Sequence, residues 1–241
     1  MTLTEQRIVV LGGTSGIGFA VAKAAVAAGA RVVVGSSSQT RVTAAVAALG
    51  AGAGAEGRAV NLSDETATRA FFEAVGAFDH LVYTAAEPLQ LLGLDADLAE
   101  VRRFFELRYW GALAAAKYGR KAIRDGGSLV FTSGTAGARP LGPGWAAASS
   151  ICSAMEGLTR ALAVELKPLR VNCVAPGVVK TDLWAGMGEA ARDAFYAAEA
   201  ARLPVGHAGE VEEIAEGYLY LIGQTYVTGQ VLYVDGGALI A

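Results

Sequence analysis

Gly12, Gly16 and Gly18 fall within the run Gly12-Gly13-Thr14-Ser15-Gly16-Ile17-Gly18, and this spacing serves one chemistry, the binding of phosphate by backbone N–H groups. Ile8 to Leu11 before it are apolar and mostly β-branched, as in a buried parallel strand, and Ala, Val and Lys at helical spacing follow. In such a strand, turn and helix, Gly12 permits the sharp turn, Gly16 lets backbone approach the anion with no Cβ in the way, and Gly18 lets the helix pack on the strand. The free N–H groups and dipole at the helix start then face negative charge. The run predicts a dinucleotide site contacted by Gly12, Thr14, Ser15, Gly16, Ile17 and Gly18.

The position that reads the ribose lies about 20 residues further on, at the end of the strand Arg31 to Gly35, and Ser36-Ser37-Ser38 occupies it. A carboxylate there would bind the two ribose hydroxyls of NAD and repel a 2′-phosphate by ~1 to 4 kcal/mol per charge pair. None is present. The three hydroxyls, with Arg41 opening the next helix, can donate to a 2′-phosphate, so NADP(H) is expected in preference to NAD(H). The alternative is a polar turn that discriminates little. Cys152 and Cys173 lack metal-ligand spacing and His80 and His207 lie far apart, so no metal site is expected, and reduced thiols point to a cytoplasmic protein. His80 precedes an apolar strand and reads as structural; Glu87 reads as a solvated loop carboxylate.

The elements that must hold these residues follow from pattern. Helices are expected over Thr40 to Leu49, Asp64 to Val75, within Leu98 to Arg124, and over Val211 to Leu221. Strands are expected over Arg58 to Asn61, His80 to Tyr83, Ser128 to Ser133, Arg170 to Pro176 and Val231 to Val234, with a flexible Gly/Ala loop from Ala51 to Gly57. Strands alternating with helices predict an α/β fold, a doubly wound parallel sheet of Rossmann type, in a single domain of 241 residues. Its cofactor half spans about residues 1–125 and its active-site half about 126–241. Twenty basic against 23 acidic residues, without a basic run, give no footprint for nucleic acid or an anionic membrane. No apolar run reaches the ~18 residues of a membrane span.

With Leu11 where Thr is usual, Gly12-x-x-x-Gly16-x-Gly18 resembles the short-chain dehydrogenase/reductase family, and the likeness extends along the whole chain. It implies that Asn61-Leu62 holds the adenine ring. Thr84-Ala85-Ala86-Glu87 stands where Asn-Asn-Ala-Gly is typical, keeping room for the cofactor but losing the Asn side chains that brace the sheet. Pro176-Gly177-Val178-Val179-Lys180-Thr181 matches the segment whose backbone and Thr contact the nicotinamide amide. Pro176, Gly177, Val179 and Thr181 are therefore cofactor positions, with Thr132 beside them, and Asp182 to Ala201 is the segment that covers substrate. Trp184 within it reads equally as helix packing. Aligning Gly137 and Glu156 to Arg160 puts Gly134 at the family's catalytic Ser, Ala148 at its Tyr and Cys152 at its Lys. The resemblance thus implies an atypical member without that set. Ser133 and Ser149 are left as hydroxyls to orient a substrate or water. Arg108 takes the place of a catalytic-site Asn, or else is a surface or interface arginine.

The expectation is an NADP(H)-binding oxidoreductase that reduces an activated C=N, C=C or C=O of a small molecule without a Tyr proton donor. The alternatives are a non-redox biosynthetic enzyme, such as an isomerase or cyclase, and a catalytically silent cofactor-binding protein. A homo-oligomer, tetramer or dimer, is expected from the family analogy and from the Ala-rich stretches Gly111 to Lys117 and Ala146 to Ala154.

Overall fold

In the computed structural model, which describes residues 2–50 and 54–241, the apolar run Arg7–Leu11 is an interior strand (β1) of a parallel sheet. The glycine turn leads into helix Gly16–Ala27 (α1), then strand Arg31–Ser36 (β2), helix Gln39–Ala48 (α2), strand Ala55–Ala59 (β3) and helix Glu65–Val75 (α3). Strand Phe78–Tyr83 (β4) is followed by helix Leu98–Phe105 (α4), a π-helical turn Glu106–Trp110, and helix Gly111–Gly119 (α5). Strand Ile123–Thr132 (β5), helix Ala146–Glu165 (α6), strand Arg170–Pro176 (β6), helices Glu189–Arg202 (α7) and Val211–Gly223 (α8), and strand Val231–Val234 (β7) complete the chain. The sheet order is β3-β2-β1-β4-β5-β6-β7, with every pairing parallel. This is the single-domain doubly wound fold expected. Successive strands are added outward on one side of β1 up to β3 and on the other side from β4 onward, and this switch between β1 and β4 opens a crevice at their carboxyl ends.

Alternation along β1 divides the core. Ile8 and Val10 pack with Val21, Ala25, Ile214 and Tyr218 on one face, while Val9 and Leu11 pack with Phe71, Phe72, Ala112 and Phe131 on the other. All of these are buried.

Three expectations need correction. β3 spans Ala55–Ala59 rather than Arg58 to Asn61, because main-chain pairing of Val32 with Ala55 through Ser36 with Ala59 sets an edge strand that shows no apolar alternation. The expected loop therefore ends before Ala55, and its residues 51–53 lie outside the described residues. β5 begins at Ile123, five residues before Ser128, since Ile123 pairs with Phe78 across an irregularity in the ladder while its sequence, Arg-Asp-Gly-Gly, reads as a turn. The helix within Leu98 to Arg124 is interrupted by the π turn, where buried Tyr83 donates its hydroxyl to the Leu107 carbonyl at 2.5 Å. Gly111 makes this possible, since a Cβ there would lie 2.5 Å from the Tyr83 hydroxyl and 2.8 Å from the Leu62 carbonyl oxygen.

Candidate active site

The crevice is a cleft of about 600 Å³, within the range of small-molecule sites. Its floor is the glycine turn. Gly12 has φ +86°, and a Cβ on it would come within 2.6 Å of the Ala85 nitrogen; one on Gly18 would collide with the Gly12 carbonyl and the Thr84 hydroxyl. Gly16 has φ +51° and lies against the Thr181 methyl, 3.6 Å from where its Cβ would sit. Glycine is thus required by conformation and space at Gly12, by conformation at Gly16 and by space at Gly18, and the amino end of α1 opens onto the cleft. A cradle of this shape fits a dinucleotide phosphate.

Thr14, Ser15, Ile17, Ser36, Ser37, Arg41, Asn61 and Leu62 line the same cleft. Thr84, Ala85, Ala86, Thr132, Pro176, Gly177, Val179 and Thr181 do so from the β4, β5 and β6 ends. Arg41 is held beside the ribose-reading position by donating to the Ser37 hydroxyl at 3.3 Å. Ser38 is a correction, being no part of the lining. Its oxygen caps α2 by accepting from the Arg41 backbone N–H at 3.3 Å, so the hydroxyl serves the helix end. The sheet brace thought lost with the family's Asn is supplied by Thr84, whose hydroxyl donates to the Leu11 carbonyl at 3.1 Å.

At the other end the walls are apolar and aromatic, from Phe104, Leu141, Trp145, Ile151 and Trp184. Sequence patterning missed Phe104, Leu141, Trp145 and Ile151. On α6 the signal was available: Trp145, Ala148, Ile151 and Cys152 share one face at three- and four-residue spacing. Trp184 turns out to be both packing and wall, buried against Phe195 at 4.8 Å between ring centres, with its indole N–H on the Val179 carbonyl at 3.0 Å.

Arg108 reaches into this apolar end from the π turn. Its guanidinium lies 4.5 Å from the Phe104 ring centre and donates through Nη2 to the Glu87 backbone carbonyl. Its Nε is buried and finds no partner among the described residues. Burial lowers the pKa, opposed by the nearby Cys152, Glu87 and Tyr83, but a guanidinium starting above ~12 stays charged.

Ser133 lines the cleft, whereas Ser149 does not. Ser149 lies about 100° around the helix from Ala148, and it donates its hydroxyl to the Ala136 carbonyl at 2.6 Å, so it is removed as a cleft residue. Cys152 faces the cleft as a free thiol that burial pushes up to about 11, against lowering by Ser133 and Arg108. At pH 7 about one such thiol in 10⁴ is ionised, so Cys152 brings no charge. Away from the cleft, His80 is structural as expected: it is buried, with Nδ1 2.8 Å from Ser128 Oγ and Nε2 3.1 Å from Gln6 Oε1.

Residues 12–238 match the family model described as enoyl-(acyl carrier protein) reductase. A relative from Gibberella fujikuroi (strain CBS 195.34 / IMI 58289 / NRRL A-6831), named short-chain dehydrogenase/reductase fsr5, is 36% identical over 99% of this chain and 96% of its own. Among solved structures, a small-chain dehydrogenase in complex with NADPH superposes with a TM-score of 0.85 at 35% identity, covering 98% of this chain and 99% of that one. MalC reductase/Diels-Alderase from Malbranchea aurantiaca gives a TM-score of 0.91 at 29% identity, with 99% and 98% covered.

Proposed function

Since the chain belongs to the short-chain dehydrogenase/reductase family and is an oxidoreductase of that family, we propose that it uses NADP(H) to reduce an activated C=N, C=C or C=O bond of an apolar small molecule, and that it does so without the family's Ser-Tyr-Lys set. One observation carries this reading: the apolar end of the cleft holds a buried guanidinium with a free Nε, and neither Tyr nor Lys is among its described lining residues. The absence of a carboxylate near Ser36 and Ser37, the adjacent Arg41, and the likeness to a dehydrogenase described with NADPH support the choice of NADP(H). The bound nicotinamide would supply a hydride. The glycine turn and the amino end of α1 would hold the phosphates, Asn61 and Leu62 the adenine, and Thr181 the nicotinamide amide. Arg108 would stabilise negative charge developing on the substrate oxygen from a water-poor wall, without itself giving up a proton. Phe104 and the Glu87 carbonyl fix its direction. Free Cys152 and Cys173 fit a reducing cytoplasm.

A second reading, non-redox ring formation in the same cleft, is favoured by the likeness to a protein named both reductase and Diels-Alderase. Following NADPH absorbance with isatin, 2-cyclohexenone, 9,10-phenanthrenequinone and 2-methyl-1-pyrroline separates the two. Oxidation of NADPH with at least one of them is expected; none with any overturns the redox reading. On the best substrate, Arg108→Ala should lose ~10² to 10³ in kcat, as for removal of one oxyanion donor. If Arg108 instead serves a subunit contact, the oligomer mass falls and turnover per folded site stays near the parent's.

A further inference from the structure

The end of the cleft contains a hydroxyl backed by a carboxylate that the proposed chemistry leaves unused. Ser133, just past β5, lines the cleft, and its Oγ lies 3.1 Å from the Cys152 backbone carbonyl and 3.3 Å from Glu156 Oε1. Glu156 stands one turn beyond Cys152 on α6, and its side chain is only 13% exposed. The same Oε1 accepts the Tyr233 hydroxyl of β7 at 3.3 Å, and Arg160 on α6 comes within 4.0 Å of Oε2. β5, α6 and β7 thus converge on one carboxylate just behind the cleft wall. The remaining titratable groups facing it are Cys152 and the buried Cys173 of β6.

The other small groups at this wall, Gly134, Ala148 and Cys152, offer no proton that dissociates near neutral pH. Ser133 can pass one on, because a hydroxyl is both donor and acceptor, and its Oγ lies within hydrogen-bond reach of two acceptors, the Cys152 carbonyl and Glu156 Oε1.

We propose that Glu156 is the proton terminus of this site, acting through Ser133. This rests on the redox reading above. In reduction, hydride from the reduced nicotinamide adds to the carbon of C=X, which is reduced as the nicotinamide is oxidised. The π pair moves to X, X takes the hydrogen of Ser133 Oγ, and Oγ takes the proton of the Glu156 carboxyl, leaving a carboxylate that reprotonates from water. Oxidation runs the same steps backwards, and a hydroxyl within hydrogen-bond reach of Glu156 is the arrangement ready to receive the substrate's proton. Ser133 is then the catalytic residue and Glu156 a positioning and proton-storing one.

The test uses the full chain with NADPH and isatin. In Glu156→Gln, which keeps the size but puts an NH2 group in place of one carboxylate oxygen and carries no exchangeable acid proton, reduction should slow by about 10²-fold and its pH profile should be flatter than the parent's. Ser133→Ala should slow it equally, and the double variant no further, because the two act as one unit. Glu156→Asp should recover the pH response. A readout independent of turnover is the carboxyl C=O stretch in infrared difference spectra between low and high pH with NADPH bound. One band should vanish in Glu156→Gln and shift in Ser133→Ala. Glu156→Gln within about three-fold of the parent, with its pH response intact, overturns the assignment. So does an unshifted band in Ser133→Ala. Parent protein that oxidises NADPH with no substrate of the panel overturns the redox reading and this assignment with it.

Discussion

Ser36 closes β2 beside the ribose-reading corner and carries no charge, while Arg41 approaches the same corner through Ser37. Introducing a carboxylate by Ser36→Asp should set it against a 2′-phosphate at ~1 to 4 kcal/mol, which is about 5-fold to about 10³-fold in affinity. Fluorescence titration should show NADPH bound more tightly than NADH by the parent and the preference reduced or inverted in the variant. Equal affinities in the parent would sink the idea. His80 makes a second residue-scale prediction. Burial lowers its pKa from 6.5 to about 4, with Arg170 adding to the effect and Asp79 opposing it. A proton therefore binds the unfolded chain more readily than the folded one. Stability is full above pH 6.5 and falls as pH drops through about 4, by about 3 kcal/mol in all. Urea unfolding at pH 7.5 and 4.5 should show a smaller loss in His80→Gln than in the parent. An identical loss in both would refute the assignment.

At the scale of elements, helix ends offer a direct comparison of a buried and an exposed cap. The last carbonyls of an α-helix have no partner within it, and α8 solves this with one buried side chain. Arg170 at the start of β6 donates to the carbonyls of Leu221 at 2.7 Å, Ile222 at 2.8 Å and Gln224 at 2.8 Å. Arg170→Met keeps the stem but leaves these acceptors unpaired, and about 3 kcal/mol should be lost in urea unfolding. Asp64→Ala is the comparison. That side chain caps α3 by accepting from the N–H groups of Thr66 and Ala67, but it is exposed, so about 1 kcal/mol is expected. Near-equal losses would mean that burial does not separate the two caps. The π turn matters in another way. It widens the helix at the point where Arg108 must leave it, and Tyr83 from β4 sits beneath.

At the scale of the molecule, the described residues contain no helix long and apolar enough to cross a membrane. The Ala-rich stretch of α5 is not free for assembly, as the sequence suggested: Ala112, Ala115 and Ala116 are buried against the protomer's own sheet. The apolar groups left exposed near those helices are Leu98 at 65%, Trp110 at 54% and Val164 at 74%. Assembly through the long helices remains our proposal, resting on the family analogy and on these side chains. Light scattering should give a multiple of the 24.7 kDa protomer at micromolar concentration, a tetramer or dimer, and Trp110→Glu should shift it toward the protomer. A parent mass near that of the protomer would refute it.

The sequence by itself determined the parts whose cause is local. The apolar run into Gly12-Gly13-Thr14-Ser15-Gly16-Ile17-Gly18 fixes strand, turn and helix within a few residues, and β6 and β7 were legible to their ends because apolar runs are bounded by turn residues. The serines at the end of β2 were legible for the same reason. Tertiary structure decided what depends on direction. A helix turns about 100° per residue, so whether Ser149 or Ala148 faces the cleft, and whether Ser38 binds a ligand or caps α2, follows only once each helix is seated on the sheet. It also decided what depends on distance along the chain. Arg108 meets the Glu87 carbonyl across 21 residues, and Glu156 meets Ser133 across 23 and Tyr233 across 77. No periodicity registers such pairs. They exist because a parallel sheet brings the carboxyl ends of β4, β5, β6 and β7 to one edge and packs α6 against them.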